Sequence, residues 1–302
     1  MTACTNKVNY IDLSGGFLSM RLNRNVLFPS LIAAGAAIFV LLILPFFLQV
    51  QPSITYFPEH ARLHYTAAET KLSAMPQDKL LKWSVSSQTV EKNDLMQDFS
   101  LLFRNNRLVS IINHWQKNVS ELSATKEMPL SSGYYVGLTV HQAELHIGQS
   151  IYGKEILSQD FLIVTPKNGS YSAFREPTTS EQVKQISYYA QKTEAERSAL
   201  LRKASEKYGF QLTDYHVVPL DELTAESFQR IFPFGEKKAE RITGQLWEGI
   251  YKTYVKGIQL TPEQGEPALG SSMPLLLIAP DHMLIVIETA GQQILLLRQN
   301  FS

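Results

Sequence analysis

The chain predicts an α+β fold: a single N-terminal transmembrane helix, then a mixed extracytoplasmic domain with antiparallel sheet, two main helices and a C-terminal β-meander. Three observations lead there. Residues 26–50 hold no ionisable side chain, and at about 1.5 Å rise per residue they are long enough for a hydrocarbon core of about 30 Å. Short strand-like runs separated by turn residues fill the chain to about residue 175. Beyond that point two stretches carry apolar residues at helical spacing, and three continuous apolar runs close the chain.

Residues 1–25 read as a short cytoplasmic tail, because Lys7, Arg21 and Arg24 outweigh Asp12 there and the positive-inside rule keeps such a flank in the cytoplasm. Residues 26–50 then act as an uncleaved signal anchor. The apolar run exceeds the length of a secretory leader's core, and no small-x-small site follows Leu48. The lipid bilayer is thus a partner of 26–50. A patch of small residues, Ala33, Ala34, Gly35, Ala36 and Ala37, offers a place for a second helix to approach.

After the anchor, residues 58–75 place Ala61, Tyr65, Ala68, Leu72 and Met75 at helical spacing, which predicts a short amphipathic helix starting at Pro58. Strands are expected over 80–90, 99–103, 108–112, 134–140 and 145–164. Asn105-Asn106 supplies a hairpin turn between the second and third of these. Residues 51–175 are therefore mainly β.

Residues 176–302 contribute the helices and the meander, and are able to form one domain with 51–175. Thr178 to Glu181 has the pattern of a capping box, followed by Val183, Ile186, Ala190, Leu200, Ala204 and Tyr208, with Gly209 as the stop. A strand-like piece at 215–218 precedes a second long helix with Ala239, Ile242, Leu246, Ile250 and Tyr254 on one face, ending at Gly257. Residues 261–272 are rich in Pro, Gly and Ser and read as an exposed loop. The runs 275–278, 283–287 and 294–297 are continuous rather than alternating, so the meander they form should be covered on both faces.

Composition narrows the function. Acidic and basic residues balance at 28 each, so no net field draws nucleic acid, and none is expected as a partner. Cys4 is the sole cysteine, leaving the exported part with no disulfide, thiol nucleophile or thiolate ligand. A large exported domain without disulfides suits a bacterial envelope. The sequons at Asn118 and Asn168 are short enough to arise by chance.

The candidate chemistry is sparse. His60 and His64, four apart beside Glu59, have the spacing of a helical metal site, although a solvated helix face is the more ordinary reading. A turn could gather His141, Glu144 and His146, while an extended strand separates His141 from the other two. His114 and His282 have no partner in the sequence. Ser123 and Lys126 match the SxxK pattern of acyl-transfer enzymes, without the companion motifs. Tyr134, Tyr135, Tyr188 and Tyr189, with the loop 261–272, are candidates for a binding surface. No residue is assigned a catalytic, cofactor-binding or metal-binding role, and no cofactor is expected. The leading expectation is a single-pass, membrane-anchored binding, regulatory or accessory module with a protein partner in the membrane or envelope. The alternatives are an envelope hydrolase built on dispersed carboxylates or a His/Glu metal site, and a self-associating structural anchor.

Overall fold

Twenty-five consecutive residues, Leu80–Arg104, form one strand, β2, and the rest of the sheet is built along its two edges. The computed structural model describes residues 57–223, 236–254, 257–261 and 264–301. Along one edge of β2 lie β3 (Arg107–Ile112) and β4 (Trp115–Pro129). Along the other lie β1 (Tyr65–Met75) and then β5 (Gly133–Ile147). Next to β5 come β6 (Ser150–Lys167) and β7 (Ser170–Phe174), and every pairing is antiparallel.

The strand β2 serves two layers because it is broken at its middle. Its ladder with β4 shifts register between Gln88 and Asn93. There, Thr89 Oγ1 and Asn93 Nδ2 both donate to the Glu91 carbonyl, at 2.8 and 2.9 Å. Such irregularities bend a strand and increase its twist. The layer of β1, the first part of β2 and β4 thus packs face-on against β5 and β6, burying Leu72, Leu81, Trp83, Val85, Leu102 and Leu162 in one core. The approach is close. A Cβ on Gly137 of β5 would lie 3.1 Å from Thr70 and 3.4 Å from both Leu72 and Trp83.

The other face of β2 and β5 is also buried. Phe99, Leu101, Phe103, Val136, Leu138 and Val140 share a core with a helix and a second sheet. That sheet has the order β13-β12-β11-β8, from β8 (His216–Pro219), β11 (Leu275–Ile278), β12 (His282–Glu288) and β13 (Ile294–Asn300). A small hairpin, β9 (Ile258–Thr261) with β10 (Gln264–Glu266), precedes β11. The helices are α1 (Ser180–Tyr208) and α2 (Glu236–Tyr254). In α2, Ile242, Leu246, Ile250 and Tyr254 are buried at helical spacing, with Trp247 against Phe99 and Tyr254 edge-on to Phe103. The continuous apolar runs of β11 and β12 split by parity. Leu276, Ile278, Met283, Ile285 and Ile287 face the α2 side, and Leu275, Leu277, Leu284 and Val286 face Leu200 and Ala204 of α1.

Several expectations are corrected by these coordinates. The described residues do not form the mixed α+β domain that the sequence predicts. The described residues are mostly antiparallel sheet, 54% strand and 23% helix, and no helix among them is long and apolar enough to cross a membrane. The stretch 26–50, with Gly35 and its small neighbours, lies outside the described residues.

The helix expected over 58–75 is instead a turn followed by β1, paired with β2 from Tyr65 to Met75. Helix propensities differ by only tenths of a kcal/mol per residue, whereas burying one leucine contributes about 1.5–3 kcal/mol; Leu72 is fully buried. The capping box is displaced by one residue, since Thr179 is the cap and accepts from the Gln182 amide. The loop 261–272 is not wholly exposed. Ser271 and Ser272 are buried, and Leu108 of β3 bonds through its backbone to Ser271 and Gly270.

Among the described residues β4 pairs with β2 alone, which leaves one long strand edge open. Lys126 sits directly opposite Trp83, so it shares the inward face, and its ammonium reaches out to the Ile111 carbonyl at 3.3 Å. An inward-facing lysine is a known guard against edge-to-edge pairing. Replacing Lys126 with valine should leave the circular dichroism spectrum unchanged and increase self-association, read by light scattering across a concentration series.

Candidate binding surface

Helix α1 is anchored at one end and projects at the other. Its C-terminal part is tied down by Leu200 and Ala204, by Lys207 and Tyr208 donating to the Ile294 carbonyl, and by Gly209 in the left-handed conformation that ends it. At mid-helix Arg197 forks to Asp221 at 2.6 Å and Glu222 at 3.0 Å, just after β8. Burial raises the Asp221 carboxyl, while Arg197 works to lower it. Ahead of Arg197 no residue of the helix is fully buried. Tyr188 is 58% exposed and Val183 51% exposed.

The start of β5 carries a second aromatic pair. Tyr134 packs on Phe161 of β6 with ring centroids 6.3 Å apart, and Phe161 is 42% exposed. Burial, and then Asp221, pushes the Tyr134 phenol up to about 12. Tyr188 and Tyr189 meet edge-on at 5.4 Å. The Tyr189 phenol is also raised, by burial first and then by Tyr188 and Tyr135. Of the four tyrosines singled out in the sequence, Tyr135 is buried, its hydroxyl donating to the Ser131 carbonyl at 2.9 Å. Phe161 and Val183 were missed, because a half-exposed apolar residue has the same sequence pattern as a core one.

Comparison of the chain with family models, with curated proteins and with solved structures found no match. Function therefore rests on this surface and on the placement of the other candidates.

Those candidates do not converge. His60 stacks on Tyr152 at 4.7 Å, and His64, exposed, engages Val90 only through its carbonyl. Glu59 pairs with Lys154 at 3.1 Å. His146 lies 3.3 Å from Glu144 and 3.8 Å from Asp94. Among the described residues no three of His, Cys, Asp and Glu are grouped to hold a metal ion. Ser123 and Lys126 lie on β4, where residues three apart point to opposite faces, so SxxK does not bring them together. His114 is exposed, and its carbonyl takes the Gln97 amide. His282 is bonded through both ring nitrogens.

His141 is the most thoroughly partnered of the set. Thr70 donates its single hydroxyl hydrogen to Thr139 at 2.8 Å, so Ser158 must be the donor to Thr70 at 2.7 Å. Ser158 then has only an acceptor to offer His141 Nε2 at 2.6 Å, which fixes the ring hydrogen on Nε2. Nδ1 accepts from Ser87 at 2.7 Å, and Ser87 accepts from Gln97 at 2.8 Å. The chain of bonds crosses between the two layers. Burial alone lowers the imidazole to about 4.

Because the folded-state value lies below the unfolded one, this histidine favours the fold fully above pH 6.5. That contribution is lost as pH falls towards 4, by about 3 kcal/mol in all. Urea titrations at pH 7 and pH 4 should show this loss, and a folded His141→Gln variant should lack it.

Proposed function

We propose that the chain is a membrane-anchored binding module of a bacterial cell envelope, held at the bilayer by the apolar stretch 26–50, with residues 54–302 on the extracytoplasmic side. The observation that carries the binding reading is the projecting first half of α1, where Val183 and Tyr188 stay exposed and Tyr188 meets Tyr189 edge-on. Large apolar and aromatic residues that stay accessible next to one another mark contact sites, since aromatic anchors supply much of the energy of protein interfaces. The partner on this reading is another envelope or membrane protein. The location rests on the uncharged run at 26–50 and its basic N-terminal flank, and the bacterial setting on the absence of cysteine after Cys4.

A photo-crosslinking amino acid placed at Tyr188 of the full chain in cells should trap a discrete adduct, and the same group at exposed Lys82 should not. Val183→Asp should abolish the adduct at unchanged thermal stability. Equal trapping from both positions would remove the basis of the reading. For location, Cys4 should resist a membrane-impermeant thiol reagent in intact cells and react after lysis. Labelling of intact cells would overturn the orientation.

A further inference from the structure

Three titratable side chains, Tyr215 and the neighbouring pair Asp281 and His282, meet at one end of the small sheet. Ile278 of β11 pairs with Met283 of β12 on one side and with His216 of β8 on the other. The next row therefore sets His282 and Tyr215 on either side of Ala279, and the Ala279 amide donates to the His282 carbonyl at 2.9 Å. Side chains in one row of a sheet share a face, and the small Ala279 between them lets the two rings meet. Their centroids are 5.5 Å apart with planes at 90°. Phe210 packs edge-on against Tyr215 from elsewhere, at 5.7 Å.

The hydrogen bonds give this trio a direction. His282 Nδ1 lies 2.7 Å from Asp281 Oδ1, and Nε2 lies 3.0 Å from the Tyr215 hydroxyl. The bond from His282 holds the Asp281 carboxyl below its usual range, with Arg298 of β13 adding to the effect. An ionised carboxylate only accepts, so the neutral ring carries its hydrogen on Nδ1 and presents a lone pair at Nε2. Tyr215 must then donate to it. A hydroxyl bonded to an imidazole that a carboxylate orients is the arrangement by which weak nucleophiles are activated.

We propose that Tyr215, His282 and Asp281 form a base-assisted tyrosine nucleophile that takes activated acyl groups. In the reaction the Tyr215 oxygen forms a bond to the acyl carbon, and the bond from that carbon to the leaving oxygen breaks. The phenol proton passes to His282 Nε2 and from there to the departing oxygen. The product is an O-acyl tyrosine. Asp281 is a positioning residue, acting through the imidazole. Asp214 and His216 flank Tyr215 in the chain, and His216, opposite Ile278, lies on the other face of the sheet. The inference is independent of the binding surface on α1.

The test treats the full chain with p-nitrophenyl acetate and measures acetylation of each tyrosine by peptide mass spectrometry. Tyr188 and Tyr208, both more exposed than Tyr215, serve as controls within the same molecule. Tyr215 should react roughly 10-fold faster than either, a modest share of what a positioned general base can supply. His282→Gln should bring it down to the level of Tyr188 with an unchanged melting curve. Asp281→Asn should slow it and move the ring hydrogen to Nε2 in 15N spectra, and Asp281→Glu should restore both. Acetylation of Tyr215 no faster than that of Tyr188, or unaltered by His282→Gln in a folded protein, would overturn the proposal.

Discussion

The Glu91 carbonyl, held by the side chains of Thr89 and Asn93, marks the point on which the rest of the fold depends. A straight strand of this length would give a single broad sheet with two faces to cover. Bending it there lets β2 contribute to both layers, and the same sheet then supplies both sides of its own core. The requirement is close approach, met by Gly137 on β5 beneath Thr70, Leu72 and Trp83. It also requires that polar groups caught between the layers be paired, because a buried unpaired hydroxyl or imidazole costs more than its bond returns. The sequence of bonds from Gln97 Nε2 through Ser87, His141, Ser158 and Thr70 to Thr139 pairs these hydroxyls and the imidazole without any charged group, while Gln97 Oε1 and Trp83 Nε1 stay buried and unpaired.

A second junction joins the sheets to α1. Glu288 at the end of β12 is nearly buried and takes Arg107 of β3 and Lys203 of α1 together. Burial works to raise its carboxyl, and the two cations overcome that and lower it. A buried carboxylate is tolerated when paired in this way. The segment that follows β10 reinforces the contact by bonding along the edge of β3, so the large sheet has no open edge there. With its C-terminal half fixed at Lys203, Arg197 and Leu200, α1 presents the preceding turns on a rigid base. Rigid presentation lowers the entropic cost of association, which suits the binding role proposed for Tyr188 and its neighbours.

Much of the local structure was legible in the residues. Asn105 and Asn106 adopt positive φ, 49° and 61°, in the two-residue turn their identities call for. The apolar face of α2 and the stop at Gly209 follow from spacing and from glycine's freedom at φ 73°. Asn168-Gly169, noted only as part of a sequon, closes the β6–β7 hairpin with both residues at positive φ. The candidate surface was legible only in part. Tyrosines could be listed, but whether each was buried like Tyr135 or exposed like Tyr188 depends on what packs over it.

The sequence by itself determined the Asn105-Asn106 turn, the helix stop at Gly209, the apolar face of α2 and the lack of cysteine after Cys4, because each is set by stereochemistry or composition within a few residues. The tertiary structure alone decided that 58–75 ends in a strand, that β4 lies beside β2 and keeps Ser123 and Lys126 apart, and that His282 meets Tyr215 while His141 is locked between two layers. The histidine outcomes turn on contacts between residues 17 to 88 positions apart. At such separations the energy of burial and pairing overrides the weak local preferences that a sequence displays.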